Sequence, residues 1–127
     1  MSVSRSVNPD ELRNALLAVS GWLRGDAPEP ARTELAAAVR LSLRTLATDV
    51  PGHSVEVRVP PFAAVQCVEG PAHSRGTPPN VVEADPRTWL ELATGRLTWS
   101  DAIASDRVAA SGARADLSNW LPLVRDI

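Results

Sequence analysis

The apolar residues of this chain change their period at Pro51-Gly52, and that change constrains the fold more than any other feature. Before it, Leu12, Leu16, Val19 and Leu23 recur at helical spacing, as do Leu35, Val39, Leu43, Leu46 and Val50. After it, Val55, Val57 and Val59 alternate with Glu56 and Arg58, the pattern of a strand with one buried face. Helices followed by closely spaced strands predict an α+β layering.

Local signals divide the chain further. Asn8 is placed to cap a helix, Pro9 sits at its first position, and Glu11 completes a capping box. Gly25-Asp26-Ala27-Pro28 ends that helix. A second runs from about Pro30 to Asp49, with Arg32, Glu34, Arg40 and Arg44 largely outside its apolar stripe. Pro60-Pro61 marks a bend or a sheet edge. Phe62 to Val68, with only Gln66 polar, reads as a strand covered on both faces. Glu69 to Asn80 is a Gly-, Pro- and Ser-rich loop, and Val81 to Ala84 a short strand. Asp85-Pro86 repeats the cap-then-proline signal before a helix over Arg87–Thr94 that Gly95 stops. Thr98-Trp99-Ser100-Asp101 opens a short helix, and Arg107 to Ser111 is a strand. Leu117, Trp120, Leu121 and Val124 share one face of a last helix that Pro122 kinks or splits. The expectation is one domain over residues 1–127, with helices over about 9–50 and the sheet and further helices over about 55–125. Because the strands follow one another closely, the sheet is expected to be mainly antiparallel, of four to five strands, with helices chiefly on one face.

Composition removes whole chemistries. All thirteen basic residues are arginine, against fifteen acids, for a net charge of −2. Without lysine there is no Schiff-base chemistry and no P-loop lysine. Without tyrosine there is no phenolic acid or base. The single cysteine, Cys67, forbids an internal disulfide and any multi-cysteine zinc site. It reads as buried and inert. No cofactor and no metal site are expected. Near-neutral charge without a basic run argues against a nucleic-acid partner. No apolar stretch reaches the roughly 18 residues of a membrane span, and the polar N-terminus shows no signal peptide. The expected location is the cytoplasm.

The stretch from Val82 to Leu123 carries a further signal. Glu83-Ala84-Asp85-Pro86-Arg87-Thr88-Trp89-Leu90-Glu91-Leu92-Ala93-Thr94-Gly95-Arg96 is followed by Trp99-Ser100-Asp101-Ala102, by Val108-Ala109-Ala110-Ser111-Gly112, and by the leucine-bearing C-terminal segment. This order resembles the C-terminal half of the sterol carrier protein-2 superfamily. The segment from Val57 to Cys67 and the loop from Gly70 to Asn80 narrow the resemblance to the bacterial SCP ortholog group, the sterol carrier family proteins of actinobacteria. It covers about residues 30–125. One departure is visible: four clear strands stand where animal members have five. The resemblance implies a five-stranded type of sheet covered by helices, with an apolar cavity between them. It implies binding of sterols, fatty acyl chains or acyl-CoA without chemistry. Some relatives accompany metal-dependent thiol enzymes, but this chain lacks the histidine-rich bundle that would hold such a metal.

Trp89, Trp99 and Trp120 are then either core packing or the wall of that cavity. Phe62, Val65, Leu90, Ile103, Leu117 and Leu121 are the matching aliphatic and aromatic lining candidates. His73, Arg75, Thr77 and Asn80 form the densest polar group, in a loop that is either stiffened by its own hydrogen bonds or a site for a head group or anion. Arg75 can grip a carboxylate or phosphate through two parallel hydrogen bonds. Three readings follow. The leading one is a non-catalytic carrier domain whose partner is a lipid or other apolar small molecule. The alternative is a protein-interaction module with a filled cavity and no ligand. The third is a small enzyme built on the His73 loop, for which the sequence offers no nucleophile elbow.

Overall fold

The computed structural model describes residues 6–71 and 79–127. Asn8 opens helix α1 (Pro9–Arg24) as its sequence predicts: Oδ1 accepts from the backbone N–H groups of Asp10 at 2.8 Å and Glu11 at 3.4 Å. Gly25, in the left-handed region, closes the helix. Helix α2 (Arg32–Asp49) follows without a side-chain cap. The buried faces carry Leu12, Leu16, Val19 and Leu23 on α1 and Leu35, Val39, Leu43 and Leu46 on α2, the stripes that the spacing sets out.

Four strands, β1 (Val55–Val59), β2 (Ala63–Cys67), β3 (Asn80–Ala84) and β4 (Val108–Ser111), form one sheet in the order β2-β1-β3-β4. The β1–β2 and β3–β4 pairs are antiparallel, but β1 and β3 run parallel at the centre. Two of the three pairs are antiparallel, as expected, and the parallel central pair makes the sheet a mixed one. The reason lies in register. Val55 pairs with Cys67 on one side and with Asn80 on the other, so the chain leaves β2 and enters β3 at the same end of the sheet and only has to pass one strand. Ser54 ties that end together. Its N–H donates to the Val68 carbonyl at 3.1 Å, and its carbonyl accepts from Asn80 Nδ2 at 2.8 Å. The chain passes so close here that a Cβ on Gly52 (φ +148°) would lie 2.0 Å from the Val68 carbonyl oxygen.

Val55, Val57, Val59, Val82, Ala84 and Val108 point into one core with the apolar faces of the helices. Ala64, Gln66, Glu83, Ala109 and Ser111 lie exposed on the other face. β2 is thus an edge strand with one open face, not a strand covered on both. Its run of small apolar residues carries no alternation, so the sequence could not report that open face.

Helices α3 (Pro86–Thr94) and α4 (Trp99–Ala104) complete the covered side. Asp85 occupies the N-cap of α3 without capping it through its side chain, whereas Thr98 caps α4 by accepting from the Asp101 N–H at 3.1 Å. Glu91 pairs with Arg87 on its own helix at 3.0 Å and with Arg107, just before β4, at 2.8 Å. The same Arg87 stacks over the Trp22 ring of α1, 4.8 Å from its centroid.

The expected last helix is absent: residues 112–127 form an extended, turn-rich strap. Pro122 has no N–H to give a helix. The N–H groups of Leu123 and Val124 instead donate to the Ala93 carbonyl at 2.9 and 3.1 Å, serving the C-terminal end of α3. Leu117 is fully buried, and Trp120, Leu121, Leu123 and Val124 pack against the core from the strap.

Candidate functional site

The structure separates the lining candidates into three groups. Trp89, Leu90 and Leu117 sit in the closed core, at 1%, 0% and 0% exposure. Leu90 and Leu117 are shut off from solvent altogether. Val55, Val57, Val59, Leu43 and Leu46 around them are equally closed, and together they fill the space between sheet and helices. The Trp89 indole N–H donates to Ser42 Oγ at 2.8 Å, which satisfies the one polar atom that ring brings inside. Ile103 points outward from α4 at 40% exposure.

Trp99 and Leu121 come together in the second group. With Leu92, Leu97 and Pro122 they wall a cleft of about 350 Å³ between the end of α3, the start of α4 and the strap. Thr98, Ser100 and Ser118 supply its polar edge, and Arg125 stands at the rim. Asp116 shapes that edge. Hydrogen bonds from the Ser118 side chain and N–H (the latter at 2.8 Å) hold the Asp116 carboxyl below its ordinary value. Trp120 is half-buried on the same strap.

Phe62 and Val65 belong to the opposite side. Val65 lines a larger open cleft, about 690 Å³, between α2 and the free edge of β2. Ala63 and Ala64 share its β2 wall, and Arg40, Arg44, Ala47, Thr48 and Pro51 stand across from them. Phe62, at the head of β2, lies under the Arg32 guanidinium at 5.1 Å and accepts a 3.3 Å hydrogen bond at its carbonyl from Arg40 Nε. The sequence placed Arg40 and Arg44 largely outside the apolar stripe of α2. The signal for a groove was their one-turn spacing on the flank of an apolar stripe, which has meaning only once β2 lies alongside.

Of the polar candidates, His73, Arg75 and Thr77 lie outside the described residues. Asn80 is buried, with its capacity used internally: Nδ2 donates to the Ser54 carbonyl and, at 3.3 Å, to Ser54 Oγ, while Oδ1 accepts from the Arg114 N–H at 2.9 Å. It joins the start of β1 to the strap. Cys67 is fully buried, and burial pushes its thiol up to about 11, which keeps it protonated and unreactive at neutral pH. Among the described residues, no three His, Cys, Asp or Glu side chains come together as a metal site. No helix there is long and apolar enough to cross a membrane.

No curated protein matches this sequence. The family described as bacterial SCP ortholog matches residues 31–123, from the start of α2 into the strap, and includes every residue of both clefts except Arg125. A match over most of the chain, in the order of elements just described, shows that the chain belongs to this bacterial family of sterol carrier protein-like domains.

Proposed function

We propose that this chain is a non-catalytic, carrier-type binding domain that holds an apolar tail in the cleft walled by Trp99 and Leu121. The observation that carries the reading is that those two side chains line one cleft with Leu92, Leu97 and Pro122. Apolar walls with a few polar groups at one edge are the usual make-up of a small-ligand site. A volume of about 350 Å³ lies near the lower end of the usual range, which favours a single acyl chain over a bulky ring system. Each methylene taken from water contributes about 0.8 kcal/mol. Arg125 at the rim is placed to meet a carboxylate or phosphate head.

The test is titration of the purified chain with a fluorescent fatty acid, read by energy transfer from tryptophan. Saturable binding is expected, and Leu121→Arg, which puts a charge into a half-exposed wall, is expected to abolish it while the chain stays folded. No saturable binding to fatty-acid, acyl-CoA or sterol probes overturns the reading.

A further inference from the structure

We propose that the free edge of β2, together with the arginines of α2, is a docking strip for an acidic, extended segment of a partner protein. The inference does not rest on ligand binding in the Trp99 cleft, which lies elsewhere on the molecule.

The first observation is the edge itself. Among the described residues β2 pairs only with β1, so the peptide groups along its other side have no strand partner there. Natural edge strands are commonly blunted by charge, proline or a bulge. Ala63-Ala64-Val65-Gln66-Cys67 has neither a charge nor a proline. Ala64 and Gln66 are exposed on this strand, and an added backbone would lie beside it at the usual strand spacing of about 4.8 Å.

The second observation is the charge beside that edge. The 690 Å³ cleft between β2 and α2 is lined by Arg40 and Arg44 and by no acidic residue. Both arginines are exposed, and neither makes an ion pair among the described residues. Arg40 spends its Nε on the Phe62 carbonyl, which fixes the guanidinium over the head of β2 and leaves its terminal nitrogens to donate elsewhere.

The third observation is direction. Arg40 meets Phe62 before β2, and the Val50 carbonyl accepts from the Val68 N–H after it at 2.8 Å. Helix and strand therefore run alongside one another in the same sense. Side chains four apart on a helix are about 5–6 Å apart, and those two apart on a strand are about 6.7 Å apart. A strand added to β2 thus offers carboxylates at alternate positions to Arg40 and Arg44 in step. An anionic lipid surface would satisfy the arginines but supplies no ladder of N–H and C=O groups for the edge. Strand addition supplies both.

The experiment uses the full chain and a fluorescein-labelled heptapeptide with glutamate at alternate positions and valine between, read by anisotropy. Saturable binding is expected, weakened about fivefold by Arg44→Gln and reduced further by salt. Methylation of alternate peptide nitrogens in the probe is expected to abolish binding, and the unlabelled probe to slow hydrogen exchange along β2. Arg44 is exposed, so the variant is expected to unfold at the same urea concentration as the parent, and any loss of binding then reports the site. Four results overturn the proposal: no binding, equal binding of a lysine-for-glutamate probe, equal binding of the methylated probe, or adsorption to phosphatidylserine vesicles without peptide binding.

Discussion

The Trp89 indole N–H donates to Ser42 Oγ across 2.8 Å, and the Ser42 hydroxyl in turn donates to the Ala38 carbonyl at 2.6 Å. This chain of bonds fastens α3 to α2 where both are closed to water. It also explains a serine on the buried face of a helix, a position that apolar periodicity alone would give to an aliphatic residue.

Ser42→Ala removes the acceptor and leaves the indole N–H buried without a partner. The expected cost is about 1–3 kcal/mol, seen as a lower urea midpoint with an unchanged slope. Trp89→Phe in the Ser42→Ala background is expected to cost less than in the parent, because the bond is already gone.

Asn80 does similar work at the end of the sheet. Asn80→Ala strips hydrogen bonds from the Ser54 carbonyl and the Arg114 N–H, and about 2–3 kcal/mol of stability is expected to go with them. Ligand affinity in the Trp99 cleft, measured on the folded variant, is expected to stay unchanged. A selective loss of affinity would return Asn80 to the binding site.

Gly52→Ala is expected to cost more than either. The added Cβ meets backbone, the Val68 carbonyl and the Glu69 nitrogen, within 2.0 to 2.5 Å, and no rotamer relieves that. A loss of at least about 3 kcal/mol is expected, measured as urea or thermal unfolding against the parent chain.

The alkaline limb of stability is expected to report Cys67. Its thiol ordinarily loses its proton near 9.0, whereas burial holds it to about 11 in the fold. Between those values the unfolded chain binds fewer protons, so the stability contributed below 9.0 falls as pH rises toward 11. The chain has no lysine or tyrosine to titrate in that window. Cys67→Ala is therefore expected to flatten the slope, as measured by denaturation at stepped pH.

By itself, the sequence determined those features whose bonds close within a few residues or whose pattern repeats along one element. The Asn8 cap, the Gly25 and Gly95 stops, the stripes of α1 and α2 and the alternation of β1 are of this kind. The family resemblance was legible for the same reason, because it rests on the order of such elements. Tertiary structure alone decided which strand lies beside β1, since the Val55–Asn80 row joins residues with a whole hairpin between them. It also decided that the leucines after Leu117 form a strap, because Ala93 offers their backbone an acceptor that a helix broken at Pro122 could not. The two clefts are consequences of those decisions. Trp99 and Leu121 line one cleft only because the strap returns across the end of α3, and Arg44 faces a strand only because β2 is left at the edge. A side chain's type is local, but what it faces depends on contacts that form when distant segments bury their apolar faces together.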